Sequence, residues 1–182
     1  MNEYDFTLKF TLQPPNAETT TVQLDPDHYV EQLYESGCDD ALIGVGKQGL
    51  ISLNFNREAQ SAYAAIASAI SEVKQAIPFA TLIEASPDFV GLTDAAKILG
   101  CTRQNVRNLI VNGVPNSPLP IYEGTPSLWH LADLLLWLQT DKSYEIDDVL
   151  LETAQMTMKL NAAKSWQKVG VELQEDIKYL VA

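Results

Sequence analysis

The chain has 182 residues, 24 acidic against 12 basic side chains and a formal net charge of -12, with 46% hydrophobic residues. That length holds one or two small domains with real cores, and that composition predicts a soluble globular protein. The acidic excess argues against a protein that holds polyanions by bulk electrostatics, and no apolar run approaches the ~20 residues of a membrane span.

The N-terminal MNEYDF lacks a basic region and an apolar core, which predicts no signal peptide and a cytoplasmic location. Tyr4, Phe6, Leu8, Phe10 and Leu12 alternate with Asp5, Thr7, Lys9 and Thr11, the period of a half-buried strand. Asp25-Pro26-Asp27 opens a helix carrying Val30, Leu33 and Tyr34, closed near Gly37. Ala41 to Val45 and Leu50 to Phe55 read as two strands around the turn Gly46-Lys47-Gln48-Gly49. Ala59, Ala62, Tyr63, Ile66, Ala69, Ile70, Val73 and Ile77 form a long amphipathic helix stopped by Pro78, and Thr81 to Ala85 is a last strand. The order β-α-β-β-α-β is that of the ferredoxin-like split βαβ, so residues 1–88 are predicted to be an α/β domain for dimerisation, sensing or partner binding. Ser86-Pro87-Asp88 is predicted to be a connecting turn.

Residues 92–113, LTDAAKILGCTRQNVRNLIVNG, carry the strongest functional signal. A short helix is expected from Thr93 to Gly100 and a second from Thr102 to about Asn112. Thr93 and Thr102 are candidate N-caps, because a hydroxyl accepts from the orphan N–H groups of a first turn. Gly100 takes the left-handed conformation that closes a helix. Leu92, Ala95, Ala96 and Leu99 make one apolar stripe; Val106, Leu109 and Ile110 make another. Gln104, Arg107 and Asn108 fall on the face away from Val106, with Arg103 on the flank of the first turn. Arg pairs with guanine edges or phosphate, and Gln or Asn with adenine. Thr102, Arg103, Gln104, Asn105, Arg107 and Asn108 are therefore the candidate DNA contacts. An ordinary helical hairpin has a similar apolar pattern; the polar, almost acid-free outer face favours DNA.

Past Asn112-Gly113, prolines at 115, 118 and 120 break continuity, Ile121-Tyr122 reads as a short strand and Glu123-Gly124 as a turn. A third helix is expected from near Ser127, carrying Leu128, Leu131, Leu135 and Leu138. Helix, turn, helix, hairpin, helix resembles the winged helix-turn-helix of the MerR and excisionase type. LTDAAKILGCTRQNVRNLI matches its first two helices and LWHLADLLLWL the helix after the wing. The whole chain also resembles a group of bacterial DNA-binding proteins through its DALIGVG strand and its RQNVR and SLWHLADLL motifs. The resemblance implies a cytoplasmic regulator with residues 89–140 as the DNA-binding domain. One departure stands out: residues 114–127 contain no Lys or Arg.

Charge is unevenly placed. Residues 1–90 hold four bases and 13 acids (-9), residues 91–140 hold three of each, and residues 141–182 hold five Lys and eight acids (-3). A neutral reader on an acidic body predicts weak non-specific binding and reliance on a second copy. Ile146, Val149, Thr153, Met156, Leu160 and Ala163 repeat at 3-4-3-4-3 spacing. That seam packs on its own chain or makes a dimer helix, and Val171 to Val181 reads as a short helix covering it. Residues 141–182 are therefore C-terminal helices for packing or dimerisation.

Other motifs carry less. Gly44-Val45-Gly46-Lys47-Gln48-Gly49 fits G-x-G-x-x-G, yet a strand follows where a nucleotide site needs a helix. Asp39-Asp40 reads as a solvated loop, and His28 and His130 as surface or capping residues, with His130 on the first turn of the third helix and within reach of phosphate. Trp129 and Trp137 read as core, and Cys38 and Cys101 as semi-buried thiols of a reducing compartment. No nucleophile–base set, cofactor motif or metal-ligand spacing is visible, so the chain does not read as an enzyme. The expected fold is α+β: a ferredoxin-like domain, a winged helix-turn-helix and C-terminal helices. The expected partners are double-stranded DNA and a second copy of the chain. The alternative is an interaction module, antitoxin-like or adaptor, whose acidic N-terminal domain engages a basic protein. Small-ligand sensing by that domain is a third possibility.

Overall fold

A computed structural model describes residues 1–13 and 24–180. A mixed α+β chain emerges, with an antiparallel four-stranded sheet followed by a mainly helical unit. The sheet unit comprises β1 (Asn2–Thr11), a 3-10 turn (Pro26–Tyr29), α1 (Val30–Glu35), β2 (Ala41–Lys47), β3 (Leu50–Ala59), α2 (Ala62–Ala76) and β4 (Thr81–Ser86). The helical unit follows as β5 (Phe89–Val90), α3 (Leu92–Ile98), α4 (Arg103–Asn112), β6 (Trp129–His130) and α5 (Leu131–Lys142). Two further helices, α6 (Asp148–Trp166) and α7 (Val171–Leu180), end the described chain. Among the described residues, no helix is long and apolar enough to cross a membrane.

The strand order is β2-β3-β1-β4 with every neighbour antiparallel. β1 runs beside β3 from Asn2 opposite Ala59 to Thr11 opposite Leu50. Its alternation does what the period predicts: Tyr4, Phe6, Leu8 and Phe10 are buried, and Leu12 just beyond the strand with them, while Asp5 is exposed. The opposite sheet face is polar, with Asn54 donating to Asp5 at 3.1 Å and Thr7 at 3.0 Å, and Lys9 paired with Glu84 at 3.0 Å. α2 covers the buried face with Ala62, Ala65, Ile66, Ala69 and Val73, its alanines allowing close approach to the strands. Ser61 caps it by accepting from the Ala64 N–H at 3.1 Å. β3 continues to Ala59, four residues past the expected Phe55, so the helix opens at Ala62 rather than near Ala59.

Arg57 explains that extension. It occupies a core-facing position of β3 and is buried, a poor place for a charge without partners. Its guanidinium bonds Asp40 at 2.7 and 2.8 Å, Ser68 at 2.8 Å and the Gly37 carbonyl at 3.0 Å, pairs with Glu72 at 2.7 Å, and lies over the Phe55 ring. Burial alone would lower its pKa; the hydrogen bonds and charges of Asp40 and Glu72 outweigh that and hold it above the usual arginine value. Asp40 is thus a structural ion-pair partner, not the solvated loop residue the sequence suggests.

The junction between the units also departs from expectation. Ser86-Pro87-Asp88 is no exposed turn: Asp88 is only 2% exposed. Its carboxylate meets His130 Nδ1 at 2.5 Å and accepts from Asn161 Nδ2 at 2.7 Å, and its carbonyl accepts from the Leu131 N–H at 2.7 Å. Thr157 donates to the Pro87 carbonyl at 2.5 Å. A buried carboxylate is tolerated where its oxygens are satisfied in this way.

α6 holds the two units together. Val149, Met156 and Leu160 pack on the sheet core, while Leu151 and Ala154 belong to the core of the helical unit. Glu152 accepts from the Tyr4 hydroxyl at 2.8 Å and the Ala62 N–H at 2.9 Å, tying β1 and α2 to α6. Of the 3-4-3-4-3 seam, Val149, Met156 and Leu160 are therefore spent on this chain's own sheet, Ile146 packs on the helical core and Ala163 stays exposed. Among its described side chains α7 leaves Val171, Leu173 and Leu180 exposed where a cover for α6 is expected, and Gln174 fastens the helix by donating to the carbonyls of Trp166 at 3.1 Å and Val169 at 2.8 Å; Val181, the expected end, lies outside the described residues.

Candidate nucleic-acid interface

The core of the helical unit is Val90, Ala95, Ala96, Val106, Trp129, Leu131, Leu134 and Leu135 with Leu151 and Ala154 of α6. α3 opens one residue earlier than expected. Gly91 is its N-cap and Thr93 is already helical, so Thr93 caps nothing. Gly100, at φ +62°, closes it in the left-handed region, and the Cys101 N–H returns to the Ala96 carbonyl at 2.9 Å. Thr102 then caps α4 as its position predicts, accepting from the Asn105 N–H at 3.1 Å.

α4 buries Val106 and half-buries Leu109 and Ile110. Thr102, Arg103, Gln104, Asn105, Arg107 and Asn108 are all exposed. At about 100° per residue, Gln104 and Asn108 project opposite Val106, Arg103 and Arg107 share one flank, and Asn105 takes the other. Gln104 Nε2 donates to Asn108 Oδ1 at 2.8 Å, which braces two flexible amides side by side. Gln104 Oε1 and Asn108 Nδ2 stay outside that bond, an acceptor beside a donor, the complement of an adenine edge. Among the described residues, neither Arg103 nor Arg107 has an acidic partner within ion-pair distance.

A cleft separates α4 from the hairpin behind it, lined by Gly91 to Asp94, Arg103 and residues 124–127. A second groove runs along Leu92, Arg103, Gln104 and Arg107. The hairpin is minimal: Tyr122 bridges Leu128, and the Ile121 N–H reaches the Leu128 carbonyl at 2.9 Å. A Cβ at Gly124 would lie 2.2 Å from the Tyr122 ring, so any other residue there would make the exposed tyrosine swing aside. Trp129 anchors the preceding loop by donating from Nε1 to the Pro118 carbonyl at 3.2 Å. The loop and hairpin expose Val114, Leu119, Ile121 and Tyr122 and offer no base.

The third helix starts at Leu131, not near Ser127, because Trp129 and His130 pair with Val90 and Phe89 as a two-stranded ladder. His130 is consequently turned to the junction, against Asp88 and the Phe89 ring (centroids 4.9 Å apart), and lies away from the α4 face. Trp129 and Trp137 are buried, as expected of core residues. Of the glycines of 44–49, Gly44 and Gly46 lie within β2 and Gly49, at φ +73°, forms with Gln48 the turn to β3. The junction residues Asp88, Thr157 and Asn161 carried no signal in the sequence beyond their polarity.

No family model, curated protein or solved structure matches the chain. The winged-helix resemblance rests on the chain's own residues.

Proposed function

We propose that this protein binds duplex DNA sequence-specifically, as a transcriptional regulator of the cytoplasm. α4 is the helix that enters the major groove; the hairpin at 121–128 is a wing, and the βαββαβ sheet unit is ferredoxin-like. The observation that carries this reading is the outer face of α4. Six polar side chains stand exposed there, two of them arginines without acidic partners among the described residues, on a helix capped by Thr102 and backed by a separate core. The helix N-terminus adds a favourable site for phosphate. Arg103 and Arg107 supply guanine or phosphate contacts, and the braced Gln104–Asn108 pair supplies an amide edge for adenine. Asn105 and Thr102 sit where the first turn meets the backbone.

Local charge sets the style of binding. Residues 91–140 are neutral and the hairpin has no base, so few counterions are released and the affinity depends weakly on salt. Specific base contacts then supply most of the discrimination. The test is selection of binding sequences from a random duplex pool, followed by titration of Arg103→Ala/Arg107→Ala. At about 1–3 kcal/mol for each arginine, the double variant loses on the order of 10²-fold or more. Both side chains are exposed, so folding is unaffected. Binding that survives the double substitution, or a pool that enriches nothing, removes the reading.

A second reading is favoured by one observation. The base-free loop and hairpin present Val114, Leu119, Ile121 and Tyr122 to solvent in a chain whose residues 1–90 carry a net -9, a combination that suits a protein with apolar and basic groups. In that case the chain is an interaction module, and α4 is its polar flank.

A further inference from the structure

The two edges of the sheet are treated differently. The outer edge of β4 is closed: Asn161 Oδ1 accepts from the Ala85 N–H at 3.0 Å, Asn161 Nδ2 donates to the Ala85 carbonyl at 2.7 Å, and Lys164 donates to the Ile83 carbonyl. α6 thus imitates a neighbouring strand with side chains. Among the described residues, nothing does this for β2. The Asn56 N–H reaches the Asp40 carbonyl, so by antiparallel alternation Leu42 and Gly44 turn their backbone groups to β3 and Ile43 turns its own outward. Residues 41–46 contain no charge and no proline, two of the devices that blunt an edge; a third, the irregularity before Lys47, confines the open stretch to them. Leu42 is 77% exposed.

We infer that the outer edge of β2 pairs antiparallel with the same strand of a second copy, centred on Ile43, to give one eight-stranded sheet. Three observations select a second copy over another protein. Pairing about Ile43 sets the exposed Leu42 of each copy opposite Gly44 of the other, a large side chain over a position with none. It also carries Lys47 of each copy to the Asp39–Asp40 end of the other. Asp39 and Lys47 are both exposed and unpaired among the described residues, whereas Asp40 is committed to Arg57. Finally, one open edge and one closed edge per chain lead to a closed two-fold dimer and not to a fibre. The register irregularity between Gly44 and Lys47 ends the regular edge, so the backbone pairing is short and centred before it, and Lys47 meets the Asp39 end through its long side chain, outside the ladder. The inference stands apart from the DNA reading; joined to it, the dimer supplies two copies of α4 for two half-sites.

Sedimentation equilibrium of the full chain without DNA tests it. The wild type is expected at the mass of two 20.1 kDa chains. Leu42→Glu puts like charges across the axis at an exposed site and raises the dissociation constant at least about 10-fold. Lys47→Glu weakens the dimer, and Asp39→Lys in the same chain restores it. Ile43→Pro, checked for folding by circular dichroism, removes an outward N–H without touching the β2–β3 ladder and gives monomer. Leu173→Glu on α7 leaves the dimer intact. A wild type that stays monomeric at concentrations on the order of 100 µM overturns the inference. So does a dimer indifferent to Leu42→Glu and Lys47→Glu, or one dissolved by Leu173→Glu.

Discussion

In the sheet unit Tyr4, Phe6, Phe10, Phe55, Ile51 and Ile66 are packed out of contact with water, while α3 and α4 bring Ala95, Ala96 and Val106 to their core. At about 1.5–3 kcal/mol for each large apolar side chain fully buried, the first unit carries its own weight. α3 and α4 do not. They depend on α5, the β5–β6 ladder and the inner face of α6. The contrast shows where rigidity is made and where it is used. A long-stranded sheet anchors α6, and α6 in turn braces a small helical unit whose exposed face is left free for polar side chains.

Three changes probe this division, beside the DNA and dimer tests above. The largest effect is expected at Asn161→Ala. It strips both backbone groups of Ala85 and one oxygen of Asp88 of a partner, and with about 1–3 kcal/mol for each buried group left unmet, a loss of about 3 kcal/mol is expected by denaturant unfolding. Because the residue sits on α6 at the junction, hydrogen exchange should rise in β4 and in α5 together; a rise confined to β4 would mean that the units are independent. Thr102→Ala removes the cap of α4 and costs about 1 kcal/mol. Its exchange signature should stay within α3 and α4, leaving the sheet protected. The smallest effect is chemical. Burial pushes the Cys38 thiol up to about 11, so below that pH it is almost wholly protonated as well as enclosed, whereas Cys101 is only half-buried. A disulfide reagent near pH 8 should modify Cys101 quickly and Cys38 only at the rate of global opening. Equal rates would show the sheet unit opening as readily as the helical one.

What the sequence reveals tracks how local the cause is. The alternation of β1 and the cap at Thr102 each need only a few neighbouring residues, and the structure has both where the pattern puts them. So does the β-α-β-β-α-β order of elements, since each strand and helix announces itself. The misses are the long-range ones. Arg57 sits in a core because Asp40 and Glu72, 17 and 15 positions away, meet it there. Asp88 is buried because Asn161, 73 positions on, donates to it. The start of α5 shifts because Phe89 and Val90 claim Trp129 and His130 for a ladder. Of the interface, the six exposed polar residues of α4 are readable from periodicity, while the Gln104–Asn108 brace shows itself only once the helix is in place.

The position of α6 has a consequence for how the chain comes into being. Residues 148–166 pack on both cores, yet they follow every other element of either core in the chain. A nascent chain reaching residue 140 has its sheet uncovered along β1 and β4 and its α4 already exposed on an unbraced support. The sheet unit, whose buried core lies within residues 4–85, can still close first, as units commonly do during synthesis. The helical unit has to wait for Leu151 and Ala154 of α6, so α3 and α4 are expected to settle after the sheet.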